Sequence, residues 1–515
     1  MKSNFLGFLF ACILPLSALA DDGTGPASSE IVWPTAGWKT SSPEEQGMSS
    51  SDLIQLIDQG EKADLDSVLV ARNGALVLDA YYGPYRPGIK HILNSSTKGV
   101  IGTLIAIELQ RGLLHSADDT VLPFFAGRTI ANVDEGKKAI SIQTLLDMTS
   151  GIDWTEPLAG VPLTLTQMSQ SPDWVQFVLD RPMAGPPGTT FNYDSGNPQL
   201  LSAIIKKTTD SSALDFAKEQ LFGPLGISDT LWQSDPQGNS IGGYGLYMEP
   251  EDMAKLGYLY LRNGQWEGKQ LIPAAWVDRI KHASVVMNVS GGHYHYANLL
   301  WTLPEGNAFW FDGLNTEIIL VLPDSDIVAV FTGRKYTDLQ KLMESIIGAA
   351  KSDKPLPADP ASLSGLGTRV KAAATEKPTP VRKPGANAKA ISGKPIQLAD
   401  NSLGLVSVVL NLEGKNPSYE FVRKPKAPGA PNLHVQGPIG LDGYYRFQNA
   451  PDGTISGFKG TWMNERTLLV SNRVLGDDST TEFIFRIYPS SVNLEIKARR
   501  GFQLEIKGSV GDTTK

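Results

Sequence analysis

Two places in the chain set a serine three residues before a lysine, Ser95/Lys98 and Ser456/Lys459. In a helix, positions three apart share a face, so this spacing can bring an amine beside a hydroxyl. A serine hydroxyl is a weak nucleophile until a base takes its proton. A buried lysine can be that base, because burial disfavours its charged form. Context separates the two copies. Ser95 opens an apolar run with Val100, Ile101, Leu104, Ile105 and Leu109, which predicts a helix over residues 95–114. The start of such a helix also offers backbone N–H groups and a positive dipole end to a developing oxyanion. Ser456 lies in a turn-rich, strand-like stretch with no helix after it, and that copy reads as coincidence. On spacing alone, a helix-capping serine followed by a solvated lysine is the commoner reading of Ser95 and Lys98.

Other residues could join that chemistry. Tyr193 and Ser195 follow a Pro187-Gly188 turn. A tyrosine beside a lysine can share its proton and act as general base or acid; the ordinary alternative is a tyrosine packed in a loop. Tyr296 and Asn298 form a second Tyr-x-polar pair, expected in a loop or strand lining the site. His293 and His295 alternate after a Gly-Gly pair. Zinc would need further ligands, and no ligand cluster accompanies them, so a cleft-lining loop is expected and no metal or organic cofactor. Trp154 and Trp174 read as a cleft wall or as ordinary core.

The elements that must position these residues are legible in outline. A helix is predicted over 50–61, then a strand over 66–71, a turn at Asn73-Gly74 and a returning strand over 75–82. Further helices are predicted over 142–148 and 197–208. Strands over 317–322 and 327–332 flank a Pro323-Asp324-Ser325-Asp326 turn, and a helix follows over 337–350. Strands at both ends with helices between predict an α+β fold: an antiparallel sheet with helices on its faces and a helical lobe. Residues 351–394 are rich in Pro, Ala and Lys and read as a partly extended linker. Residues 395–511 return to short strands separated by Gly-containing turns, which predicts a small all-β domain, barrel or sandwich.

Seven stretches carry a resemblance. They are Asn94-Ser95-Ser96-Thr97-Lys98-Gly99, residues 145–154, 187–197 and 221–227, Gly245-Leu246-Tyr247-Met248, residues 252–257, and Val321-Leu322-Pro323. In this order, across about residues 30–350, they resemble the serine β-lactamase and penicillin-binding-protein superfamily. The similarity is to its class C-like branch, which includes esterases, D-aminopeptidases and 6-aminohexanoate-dimer hydrolases. The resemblance implies Ser95 as the acyl-forming nucleophile and Lys98 as its proton acceptor. It implies Tyr193 as partner base and as acid for the leaving group. Ser195 would help orient Lys98 or the substrate, and the Ser95 N–H would be one oxyanion donor. The second donor normally comes from an edge strand carrying Lys-Thr-Gly, which this chain lacks. The equivalent region is Phe311-Asp312-Gly313-Leu314-Asn315, with Asp312, Gly313 and Asn315 as candidate substrate-binding residues. A site-facing Asp312 would repel a substrate carboxylate. That favours ester, neutral-amide or amine-bearing substrates over β-lactams and D-Ala-D-Ala peptides.

The bulk properties set limits. The 515 residues suffice for two or three cores, and the 41% hydrophobic and 19% charged content is that of a globular protein. A net charge of −8 without basic blocks argues against nucleic acid as the main partner. Lys2, an apolar run over residues 5–16 and small residues at Ser17-Ala18-Leu19-Ala20 predict a secretory signal peptide over 1–20, cleaved after Ala20. A short N-terminal anchor is the alternative. Cys12, the only cysteine, lies in that segment, so the mature chain would carry no thiol or disulfide. The expectation is a periplasmic or secreted serine hydrolase acting on a small ester, amide or peptide-like molecule, with no stable membrane insertion. Its alternatives are a D-Ala-D-Ala carboxypeptidase or β-lactamase, and a non-catalytic penicillin-recognising or substrate-binding protein.

Overall fold

Asn73 and Gly74 both adopt positive φ, 51° and 80°, as a tight two-residue hairpin turn requires. They join strands Leu65–Arg72 and Ala75–Tyr81. Leu65–Arg72 pairs on its other side with Ile327–Gly333, which brings the two ends of the first 350 residues into one sheet. The computed structural model describes residues 31–156, 163–289, 292–383, 386–425, 427, 429–449, 454–477, 480–498 and 502–511. The predicted signal peptide lies outside these described residues.

Across the sheet the strands run Lys39–Thr40, Ala75–Tyr81, Leu65–Arg72, Ile327–Gly333, Glu317–Leu322, Phe309–Gly313, Leu300–Thr302, Gly292–Ala297 and Val285–Val289. All neighbours are antiparallel except the first pair. Glu317–Leu322 and Ile327–Gly333 are buried along their whole length, which is why they read as continuous apolar runs. The expected antiparallel sheet and helical lobe are both present. Of the last three strands of the order, only the one holding Tyr296 was among the expected alternatives. Two of them share aromatic cross-strand contacts, with Tyr294 5.8 Å from Trp301 and 5.5 Å from Trp310. His293 and His295 therefore stand on a strand and not in a loop.

Helix Ser96–Gln110 is apolar on every side, and each residue from Ser96 to Glu108 is buried. Such a helix belongs in the centre of a fold, not on its surface. Two glycines let it sit close: a Cβ on Gly99 would come within 2.2 Å of the Phe311 ring, and one on Gly102 within 2.7 Å of the Asn298 carbonyl oxygen. The helix stops short of residue 114, with Gly112 at φ 68° just past its end. Helix Gly196–Thr209 packs beside it.

The segment expected to be a partly extended linker contains two helices, Pro360–Ala373 and Ala386–Ile391. The first packs on helix Ser50–Lys62, with Leu366 and Ala373 buried. Arg369 holds Asp58 at 2.6 Å and also pairs with Glu61. So narrow an apolar stripe is easily lost in a Pro/Ala/Lys background.

Beyond it, ten strands from Pro395–Leu398 to Phe502–Val510 form one antiparallel sheet with its own core, including Ile396, Leu410, Phe485 and Leu494. Its outer strands, Leu433–Pro438 and Arg446–Asn449, face each other, and Gln448 Nε2 donates to the Gln436 carbonyl at 3.0 Å. The sheet is thus nearly closed into a barrel. One of its turns reaches the first core: Leu475 is buried there, and the Ile92 N–H donates to the Gly476 carbonyl at 2.7 Å. Among the described residues no helix is long and apolar enough to cross a membrane.

Candidate active site

Ser95 is placed by the backbone on both sides of it. Strand His91–Ile92 pairs with Leu246–Met248, and the Leu93 N–H donates to the Leu246 carbonyl at 2.8 Å. Asn94 then turns the chain with φ 47°, and its side-chain amide donates to the Leu314 carbonyl at 2.9 Å. This ties the serine loop to the end of strand Phe309–Gly313.

Ser95 occupies the first position of the helix, but its hydroxyl caps no backbone N–H. Instead it accepts a hydrogen bond from Lys98 Nζ at 2.9 Å. Lys98 is not solvated; it is 1% exposed. Its ammonium also donates to the Gly243 carbonyl at 2.9 Å and lies 4.8 Å from the centre of the Tyr193 ring. The structure thus brings Ser95, Lys98 and Tyr193 together. Burial pulls the Lys98 amine down to about 8, while the charges of Glu156, Asp194 and Asp312 act against the fall. Burial drives the Tyr193 phenol well above its usual range, so it stays protonated; the adjacent Ser95 hydroxyl opposes the rise. No backbone carbonyl accepts from the Ser95 N–H among the described residues.

Tyr193 is held by two loops laced together. The Asn192 N–H donates to the Met148 carbonyl at 2.8 Å, and its side-chain amide to the Trp154 carbonyl at 3.1 Å. The Gly188 N–H donates to the Thr149 carbonyl at 2.7 Å. Gly151, at φ 75°, leaves no room for a side chain: its Cβ would lie 2.3 Å from the Gly185 carbonyl oxygen.

Ser195 is committed to Glu156. Its hydroxyl donates to Oε1 at 2.7 Å and its N–H to Oε2 at 2.9 Å. Trp154 Nε1 donates to the same Oε2 at 2.7 Å. Ser195 packs against Gly243, whose carbonyl accepts from the Lys98 amine. Asp194 is 1% exposed and accepts from the Gly196 N–H at 2.6 Å; burial raises its carboxyl well above the normal range.

Asp312 faces the pair. Trp310 Nε1 donates to it at 3.1 Å, burial raises it to about 6, and the Lys98 charge opposes that rise. Gly313 closes on the serine loop, since a Cβ there would stand 2.3 Å from the Leu93 carbonyl oxygen. Asn315, 8% exposed, lies in the following turn at φ 67°, its carbonyl against Gly333. Tyr296 packs 5.3 Å from Phe191. Trp154 and Trp174 are both buried, the former 6.4 Å from Phe177 and the latter 6.4 Å from Tyr244. His295 Nδ1 contacts the Ala283 carbonyl at 2.6 Å, and no group of acids and histidines suited to a metal occurs among the described residues.

Three participants were not singled out from sequence. Glu156 and Asp194 carry no pattern beyond being single carboxylates. Gly243 stands two residues before the recognised Gly245 stretch, and only folding turns its carbonyl towards Lys98. Together these groups can take a proton from Ser95, hold a phenol proton ready, and exclude bulk water from the amine.

The sequence profile of the Beta-lactamase family matches residues 53–343, more than half of the chain. A 6-aminohexanoate-dimer hydrolase of Paenarthrobacter ureafaciens is 23% identical over 243 residues, 44% of this chain. That match spans only 60% of the curated relative's length. A solved structure from Bacillus anthracis, provisionally named a 6-aminohexanoate-dimer hydrolase, shares the fold with a TM-score of 0.52 and 20% identity. It covers 64% of this chain and 91% of its own. The chain belongs to the Beta-lactamase family.

Proposed function

We propose that this protein is an exported hydrolase that cleaves an ester or amide bond through an acyl-enzyme on Ser95. The observation that carries the reading is the buried Lys98 amine 2.9 Å from the Ser95 hydroxyl. In its neutral form Lys98 takes the Ser95 proton as Oγ bonds to the substrate carbonyl carbon. The oxygen that gains negative charge faces the Ser95 N–H and the strand end at Gly313. As the bond to the leaving group breaks, Tyr193 supplies the proton that the departing oxygen or nitrogen needs, and Lys98 restores it. Water then attacks the acyl ester by the same path, releasing a carboxylic acid and freeing Ser95.

Asp312 supports the choice of substrate. A carboxylate beside Lys98, with no cation on its strand, disfavours the β-lactam and D-Ala-D-Ala readings and suits neutral or amine-bearing acyl groups. The names of the similar hydrolases agree with hydrolysis of such a bond. Export rests on the leader over residues 1–20, and cleavage after Ala20 would show as a new N-terminus at Asp21 by mass spectrometry of the protein secreted by a bacterial host.

A short-chain nitrophenyl ester, given to wild type and Ser95→Ala, tests the activity. Turnover by the wild type and its loss in the variant are expected; equal rates would end the proposal. Labelling with a fluorophosphonate and peptide mapping should place the adduct on Ser95. Binding without turnover would return the protein to the non-catalytic alternative.

A further inference from the structure

The lysine of the second Ser-x-x-Lys copy has its own surroundings. Ser456 accepts from the Asn472 amide at 2.7 Å, and Lys459 points elsewhere. The strand ladder pairs Gly457 with Arg473 and Lys459 with Ser471, so Lys459 and Arg473 are diagonal neighbours on one face. Both reach the same ring: Lys459 Nζ lies 4.5 Å and the Arg473 guanidinium 4.9 Å from the centre of Tyr445. Two like charges so close repel, and proteins ordinarily set a carboxylate between them. Glu376 attracts Lys459 and the buried Asp66 attracts Arg473, but among the described residues neither carboxylate forms a salt bridge with them, and Arg473 Nε is buried without an acceptor.

Both cations line a cavity of about 220 Å³ between the barrel, the segment around Lys377 and the first domain at Arg334. Two of its three acids, Glu61 and Asp64, are already paired with cations, and the third, Glu376, acts on Lys459. Glu61 is paired with Arg369 and Lys377, and Asp64 with Arg334 and Lys335. Glu376 accepts from the Tyr445 N–H at 3.4 Å. Burial and the Arg473 charge pull the Lys459 amine below its ordinary range, against the pull of Glu376. Since about 10–15 Å³ of such volume already holds one water, the cavity has room for a small hydrated ion. A guanidinium and an adjacent ammonium are a donor set that grips a planar or tetrahedral oxyanion.

We propose that this cavity binds a small oxyanion, a carboxylate or phosphate, between Lys459 and Arg473. The site lies apart from Ser95 and does not depend on the hydrolase reading. The test uses the full chain, with inorganic phosphate and acetate titrated separately at an ionic strength held constant with potassium chloride. Calorimetric binding and the melting temperature are both followed, since a ligand held by the folded state alone raises the latter. A saturable signal from phosphate only marks a phosphate site, from acetate only a carboxylate site, and from both a general oxyanion site. Arg473→Gln is expected to weaken that signal at least tenfold with an unchanged circular dichroism spectrum. Lys459→Met, which keeps the side-chain stem, serves in its place if Arg473→Gln does not fold. The proposal is overturned if neither anion saturates, or if the folded variant binds as wild type does.

Discussion

Lys98 is the residue on which both the chemistry and its cost are concentrated. A buried amine held near 8 is mostly protonated at neutral pH, with about a tenth in the basic form. Since the neutral form takes the Ser95 proton, kcat/KM is expected to rise about tenfold per pH unit below 8 and level off above it. A rate independent of pH between 6 and 9 would show that Lys98 is not the base. Lys98→Met removes the base and also relieves a buried charge. We expect activity to fall roughly 10³-fold while the melting temperature holds or rises, because an apolar stem of similar volume suits that environment. The Asp312 charge favours protonated Lys98. Asp312→Asn is therefore expected to shift the acid limb of the profile to lower pH by roughly a few tenths of a unit, with the direction as the decisive readout. Ser95, Lys98 and Tyr193 were legible because each belongs to a short local run. Glu156 and Gly243 were not, since their bonds to Ser195 and Lys98 cross 39 and 145 residues.

At the scale of elements, the site is a meeting of one helix start, one strand end and two laced loops. The strand end is the least forgiving of these, because Gly313 stands against the Leu93 carbonyl, two residues before Ser95. Gly313→Ala must move one or the other, and a displacement there misplaces Ser95 against the oxyanion position. A fall in kcat/KM of at least about tenfold is expected. Gly348→Ala, whose Cβ would meet open space, is the control and should leave the rate unchanged. The hairpin at Asn73-Gly74 and the buried strands of 317–322 and 327–333 were readable because turn chemistry and continuous apolar runs are strong local signals. Strands Val285–Val289, Gly292–Ala297 and Leu300–Thr302 were not. On the latter two, Tyr294 and Trp301 find their aromatic partners across strands, which a periodicity count does not see.

At the scale of the whole molecule, the barrel is joined to the first domain close to Ser95. Residues Trp33–Lys515 form one compact unit. Leu475 is buried in the first core, Gly476 bonds Ile92, and the Tyr247 hydroxyl donates to Asp477 at 3.2 Å. Calorimetry of the full chain is therefore expected to give a single cooperative transition, whereas two separated transitions would show independent domains. Gly476→Val should lower both the melting temperature and the rate, because its Cβ would fall 1.7 Å from the Lys90 carbonyl oxygen, five residues before Ser95. Composition alone marked residues 351–394 as a spacer. The helix Pro360–Ala373 within it packs on Ser50–Lys62 and shortens the free chain between the two sheets.

The sequence by itself marked the candidate nucleophile, its lysine and its tyrosine, and determined the mixed helical and antiparallel class and the all-β nature of residues 395–511. All of these are written in neighbouring residues or in ordered motifs, and local interactions follow from local spacing. Tertiary structure alone decided that Lys98 is dry, that Ser195 answers to Glu156, that Asp312 faces the amine, and that the second Ser-x-x-Lys lysine lines a cavity. Burial and charge proximity depend on which distant segments fold against one another. The four-residue pattern at Ser95 resembles the one at Ser456 until that packing buries one amine beside a hydroxyl and sets the other over an aromatic ring.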